Sequence, residues 1–265
     1  MNIVLYPRPK INIGLRVTAR RSDGYHDIET LFFPVDNWRE DILEIIEADS
    51  VSMNYYGTPF ELPGGDIEKE LCVKAYRLLQ REFGLPPVGI YLCKNIPVGA
   101  GMGGGSSDAA WTLRGLNELF HLGLSDGRLA EYAARLGSDC PFFIYSRPMY
   151  GSGRGEVLTP CTSTAVTQLQ EQYRIKVIAP GIHVSTAEAY ASLTPDPSGR
   201  GLSDLLDTLP VEGWKDRILN DFEGPVFARY PALARLKQSL YDEGAVYASM
   251  SGSGSAVYGI FKKNP

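Results

Sequence analysis

Between residues 97 and 110 the chain reads PVGAGMGGGSSDAA: five glycines, then Ser106, Ser107 and Asp108, then an apolar-periodic run. The segment before it, 88–93, is strand-like, so the order is strand, glycine loop, helix start. Glycine lets the backbone reach positive φ and bring N–H groups close to a ligand. A helix start adds unpaired N–H groups and the positive end of the macrodipole. Together these favour an anion, most often a phosphate. A Walker loop needs Lys directly after its second Gly; counted from Gly99 that position is Gly105, so this reading fails. A dinucleotide fingerprint fits Gly99, Gly101 and Gly104 letter for letter. It also requires a second strand ending in an acidic residue ~20 residues on, whereas 118–127 reads as helix, loop and helix. A tight structural turn is the plain alternative, but so many glycines are costly in backbone entropy for a turn alone.

Three further patches carry groups able to do chemistry. Pro9-Lys10-Ile11-Asn12 leads into Asp23-Gly24-Tyr25-His26; Gly137-Ser138-Asp139-Cys140-Pro141 follows a helix; Met250-Ser251-Gly252-Ser253-Gly254-Ser255 lies near the end. Each has an ordinary reading as well. Asp139 suits a helix N-cap, with Pro141 in the first turn. Lys10 by itself is a strand lysine, and Tyr25 and His26 are hairpin residues. Ser106 and Ser107 suit helix capping, and Asp108 suits the positive end of the macrodipole. The last patch suits a hairpin turn.

The pattern Pro97, three residues, then Gly-hydrophobic-Gly-Gly-Gly-Ser-Ser resembles the phosphate loop of the GHMP kinases, which act on galactose, homoserine, mevalonate and phosphomevalonate. Lys-x-Asn, Asp-Gly-Tyr-His, the glycine loop, Gly-Ser-Asp-x-Pro and the late Ser-Gly-Ser-Gly-Ser occur in that family's order over nearly the whole chain. Asp-Gly-Tyr-His, with Lys94-Asn95-Ile96-Pro97 and Asn220-Asp221-Phe222-Glu223, is similar to one branch. That branch phosphorylates the 2-hydroxyl of 4-diphosphocytidyl-2-C-methyl-D-erythritol, in the non-mevalonate route to isopentenyl diphosphate. The resemblance implies an α+β, two-domain GHMP kinase fold with the active site in the interdomain cleft. Residues 1–152 would bind ATP and 153–265 the substrate. It also implies ATP and magnesium as cofactors.

Phosphoryl transfer needs charge neutralisation, an in-line acceptor and often a group that takes the acceptor's proton. The resemblance implies that Asp139 is that base, with Lys10 beside it, keeping it ionised and orienting the hydroxyl. A nearby cation does lower a carboxylate's pKa. Pro97, Gly99, Gly101, Gly103, Gly104, Gly105, Ser106, Ser107 and Lys94 are implied to hold ATP. Asn12, Tyr25, His26, Tyr190, Gly252 and Ser253 are implied to hold the acceptor. Tyr25 would stack on cytosine, His26 would bond its edge, and Tyr190 would cover the other face; stacking plus edge contacts is how proteins read an unpaired base. His183, in the loop PGIHVST, approaches the substrate in that branch. No side chain is assigned to the metal. The chain departs from the branch at Glu70, where an Asn often approaches the adenine, and it stops where the family usually adds a helix and a strand. Two other readings stay open: a GHMP kinase for mevalonate, homoserine or a sugar, and a non-catalytic nucleotide or metabolite sensor.

These residues need elements to position them. Alternation predicts strands at 10–19 and 26–35 around a turn at 22–24, and further strands at 41–48, 51–56, 88–93, 174–179, 245–249 and 256–261. Helical periodicity predicts helices at 68–83, 106–120, 125–136, 185–193, 202–209, 218–230 and 231–243, with a short turn of helix at 141–145. Ser125 reads as an N-cap and Gly137 as a helix stop. Residues 64–66 mark a loop, and the Gly-rich texture of 149–159 marks a domain junction. Strands and helices are mixed without strict alternation, which favours α+β.

The length of 265 residues fits two domains, and 44% apolar with 22% charged residues is ordinary for a folded protein. The net charge of -5 argues against a broad nucleic-acid footprint but not against nucleotides. Four scattered cysteines without a CxxC pair, and three histidines, suggest no zinc site and fit reduced thiols in the cytoplasm. No signal region opens the chain and no long apolar run suits a membrane span. The expected partners are thus small molecules, not nucleic acid or membrane. A homodimer is compatible with the sequence.

Overall fold

The computed structural model describes residues 1–57, 65–198 and 200–263, so the loop read at 64–66 begins outside the described residues. In chain order the first elements are β1 (Asn2–Leu5), β2 (Lys10–Arg20), β3 (His26–Pro34), β4 (Ile42–Glu47), β5 (Ser52–Gly57), α1 (Leu71–Phe83) and β6 (Val88–Lys94). Then come α2 (Gly104–Leu119), α3 (Asp126–Ala134), α4 (Cys140–Tyr145), β7 (Met149–Ser152), β8 (Val157–Pro160), α5 (Thr164–Thr167), α6 (Leu169–Gln172) and β9 (Tyr173–Ile178). The last are α7 (Thr186–Ala191), α8 (Leu202–Thr208), α9 (Glu223–Arg229), α10 (Pro231–Asp242), β10 (Tyr247–Met250) and β11 (Val257–Lys262). The mixture of helices and strands is α+β, as expected. No helix among the described residues is long and apolar enough to cross a membrane.

The chain forms two compact units. One comprises Met1–Pro9, Trp38–Val98 and Gly103–Ser146; the other comprises Lys10–Asn37, Gly99–Met102 and Arg147–Pro265. The first unit holds a four-stranded sheet of order β1-β4-β6-β5, antiparallel except for β5, which runs parallel to β6. Alternate residues Leu43 and Ile45 of β4, and Val88, Ile90 and Leu92 of β6, are buried. α2 lies so close to this sheet that a Cβ at Gly115 would sit 2.4 Å from Leu5 Cδ1 and 3.0 Å from Ile45 Cδ1. That approach needs glycine, although glycine costs ~1 kcal/mol in a helix interior. α1 packs on α2. Ser125 caps α3 as expected, its Oγ accepting from Arg128 N at 3.3 Å.

The second unit holds the meander β2-β3-β7-β8 and the sheet β10-β11-β9, both antiparallel. One apolar cluster joins Leu15, Val17 and Ile28 of the hairpin to Val184, Phe222, Val226, Leu233 and Met250. The helix expected from residue 218 starts only at Glu223. The reason lies in β2, whose register shifts between Ile13 and Leu15 and again between Val17 and Ala19. There Leu15 N donates to Leu219 O, Asp221 N donates to Leu15 O, both at 2.9 Å, and Asp221 Oδ2 accepts from Val17 N at 2.7 Å. Residues 219–221 are thus held against the irregular strand instead of coiling. Likewise α2 begins at Gly104, two residues before the expected start, and β1, α5 and α6 were not expected.

Candidate active site

Site residues of the first unit gather around the start of α2. Gly103 takes φ +70° and α2 then begins without any side-chain cap. Neither Ser106 nor Ser107 caps it, so the N–H groups of its first turn are not spent inside the helix. Ser107 is fully buried and its Oγ donates to Arg8 O at 2.7 Å. Ser106 is half-buried, with its hydroxyl beside the Cys140 thiol, which burial pushes up to about 12. Pro97 is half-buried and Gly105 is exposed.

Lys94 sits beneath this loop, only 5% exposed. Its ammonium donates to Asp108 Oδ2 at 2.6 Å and to Asp41 Oδ2. Burial alone would pull the lysine down, but the two carboxylates outweigh it and hold the ammonium above its usual range. Asp108 is the group that yields. Burial pushes it up from 3.8 to about 8, against the pull of Lys94 and with the push of Asp41. Its Oδ1 is buried without a hydrogen-bond partner. A carboxyl raised in the folded state contributes stability that is complete below its unfolded pKa and is lost as pH climbs through its folded one. Asp108→Asn removes that loss. The melting-temperature gain of the variant over the parent should therefore grow from pH 4 to about pH 8 and then level off. A pH-independent difference would contradict the assignment.

Asp139 is half-buried and occupies the N-cap position of α4 with αR backbone angles (φ -82°, ψ -17°). Its side chain does not accept from the α4 first turn. Capping therefore does not account for this carboxylate. At the other end of α4, Arg114 Nη1 donates to Ile144 O at 2.5 Å.

In the second unit Lys10 is 3% exposed and its ammonium is tightly seated. It donates to Asn12 Oδ1 at 2.7 Å and to Gly101 O at 3.0 Å, and lies 5.4 Å from the centre of the Phe32 ring. Asn12 is oriented in turn by its Nδ2 donating to Thr30 Oγ1 at 2.9 Å, and Thr30 Oγ1 donates to Gly14 O at 2.7 Å. Ser251 ties the two glycine turns together: its Oγ accepts from Asn12 N at 3.2 Å and donates to Gly101 O at 2.9 Å. Asn220 holds the later turn from behind, its Nδ2 donating to Met250 O at 2.8 Å and Gly252 O at 2.9 Å. Ser253 Oγ lies 2.9 Å from Thr186 Oγ1 at the start of α7. The later turn is therefore more than a hairpin connection. Thr30 and Asp41 were missed in the sequence, and Ser251 was named within the late patch without a role; a lone Thr in a strand and a lone Asp before one carry no local signal.

Tyr25 and His26 follow the hairpin turn, and Tyr190 lies in α7. The rings of His26 and Tyr190 stack at 4.8 Å and 21°, and Phe222 meets Tyr190 edge-on at 4.8 Å. Tyr25 is 56% exposed, with the Arg154 guanidinium 4.8 Å from its ring centre. His183 lies against Gly99, its Nδ1 3.4 Å from where a Cβ would stand, whereas His121 follows the end of α2. Glu70 is taken up by Tyr55, whose hydroxyl donates to Glu70 Oε2 at 2.5 Å.

The GHMP kinases N terminal domain matches residues 70–147 and the GHMP kinases C terminal domain matches residues 211–265. A 4-diphosphocytidyl-2-C-methyl-D-erythritol kinase of Azobacteroides pseudotrichonymphae genomovar. CFP2 is 46% identical over 98% of this chain and 94% of that protein. One of Bacteroides thetaiotaomicron is 46% identical over 98% of this chain and 92% of its own length. Among solved structures, a 4-(cytidine 5'-diphospho)-2C-methyl-D-erythritol kinase superposes with a TM-score of 0.75 at 32% identity, over 97% of this chain and 90% of that one. A homoserine kinase of Cytophaga hutchinsonii has the same fold, with a TM-score of 0.74 at 18% identity over 99% of this chain and 86% of its own.

Proposed function

The chain belongs to the GHMP kinases and is an ATP-dependent small-molecule kinase, and on that premise we propose that its acceptor is 4-diphosphocytidyl-2-C-methyl-D-erythritol, phosphorylated on the 2-hydroxyl. The observation that carries this reading is near-full-length identity of 46% to proteins of that name, and the His26 ring stacked on Tyr190 supports it.

In this reading the free N–H groups of the loop and of α2 receive the ATP phosphates and do not have to reorganise as charge develops, which is the largest source of such catalysis. Among the described residues no group of three or more His, Cys, Asp or Glu could hold a metal. Magnesium usually keeps several waters and binds through substrate phosphates, so the donor set fits an ion delivered with ATP. When bound it neutralises phosphate charge. Asp139, whose carboxylate does not cap α4, takes the proton of the 2-hydroxyl. Lys10, fixed by Asn12 and Gly101, supplies positive charge for the transfer. Tyr25 and Tyr190 take the two faces of cytosine. That sandwich requires the His26 ring to leave the face of Tyr190 and to turn the edge that carries its nitrogens toward the base.

Two results test the acceptor. Cytidine monophosphate should compete with the acceptor and not with ATP. Tyr25→Ala should raise KM for the acceptor about 10-fold, the low end of what one stacked base contributes, with KM for ATP unchanged. Failure of both would move the assignment to a GHMP kinase for an alcohol without a base.

A further inference from the structure

We propose that Asp41 is the positioning residue of the phosphate loop, acting with Lys94 and Asp108 as a buried strut that fixes both flanks of the loop for nucleotide binding. The inference rests on the loop binding ATP phosphates and concerns how this chain shapes it. Asp41 is 0% exposed, Asp108 3% and Lys94 5%, so all three ionisable groups are out of water. Asp41 Oδ1 accepts from Asn95 N at 2.5 Å and from Ile96 N at 2.8 Å, the two residues that lead into Pro97. Its Oδ2 accepts from Lys94 Nζ, which also donates to Asp108 Oδ2, inside α2 and just past the loop. The chain before Asp41 is held too: Asn95 Nδ2 donates to Glu40 O at 2.8 Å and Asp41 N donates to Pro7 O at 3.0 Å. One carboxylate therefore links the approach to the glycines with the helix that follows them.

Stability does not explain such a cluster. Burying charges costs several kcal/mol each, and well-packed apolar groups are often as stable as a buried ion pair. Here two carboxyl groups share one ammonium, and Asp108 Oδ1 has no hydrogen-bond partner. What the cluster supplies is geometry. The loop's glycines leave its backbone with many accessible conformations, and ordering it at the moment of binding would weaken nucleotide affinity. A strut anchored at 95–96 and 108 removes part of that cost in advance.

The test is calorimetric binding of ATP without acceptor, together with amide exchange, on the full chain. Asp41→Asn should weaken ATP binding about 10–100-fold, the scale of a small misplacement in a preorganised site. Amides of residues 95–106 should exchange faster, while the cytidine acceptor should bind as before. Asp108→Asn is the second variant, because it keeps shape, stays neutral at every pH and should fold even if Asp41→Asn does not. It should loosen the same amides and weaken ATP binding in the same direction. A variant that lowers only the melting temperature, with ATP affinity and loop exchange as in the parent, overturns the proposal. If the parent itself fails to bind ATP, the nucleotide reading of the loop has failed instead.

Discussion

Asp139→Ala should lower kcat by about 10²–10⁴-fold, the range a positioned general base contributes, while ATP binds with nearly its original affinity. The expectation follows from a carboxylate at the N-cap position of α4 that does no capping. A structural aspartate at that position would bond to the first-turn N–H groups, and its loss would cost about 0.5–2 kcal/mol of stability. Asp139 should show the opposite balance, with the loss of turnover far exceeding the loss of stability. Asp139→Asn sharpens the point, since it preserves shape but cannot take a proton. Steady-state kinetics with thermal melting on both variants decide it. A melting temperature that falls while kcat survives would make Asp139 a structural residue.

Gly101→Ala should damage both stability and turnover. Gly101 takes φ +76°, and a Cβ there would stand 2.1 Å from Ser251 O and 3.0 Å from Gly254 O. Both obstacles are backbone, so no side-chain rotation relieves them. Positive φ and overpacking together should cost about 2–6 kcal/mol. The same shift moves Gly101 O, which accepts from Lys10 Nζ and Ser251 Oγ, so Lys10 loses one of its anchors. Gly123→Ala is the control: φ there is +67°, but nothing lies within 4 Å of the added carbon. Its melting temperature should fall much less. Equal losses in the two variants would mean that the close approach of the two glycine turns is not there.

What was legible in the sequence was largely local. Strand, glycine loop and helix start follow one another along the chain, and the Ser125 cap is a contact over three residues. The family-level order of motifs was legible because each motif is short. Long-range pairing was not. Lys94 was named through the family resemblance, whereas its partners Asp41 and Asp108, on β4's approach and on α2, were not, since only the folded sheet brings them together. Residues 218–222 have helical periodicity, yet the irregular register of β2 captures them first. Asp108 read as a macrodipole residue, and nothing local signals that it is buried. Tyr25, His26 and Tyr190 were named together, but the stacking of His26 on Tyr190 depends on α7 lying over the hairpin.

The central claim is the acceptor. The most direct measurement is ADP release with ATP and magnesium, with and without 4-diphosphocytidyl-2-C-methyl-D-erythritol, followed by phosphorus NMR of the product. The account predicts release that depends on this acceptor and a new phosphomonoester on its C2 oxygen. ATP binding without stimulation by this acceptor, or a phosphate placed on any other hydroxyl, would contradict it.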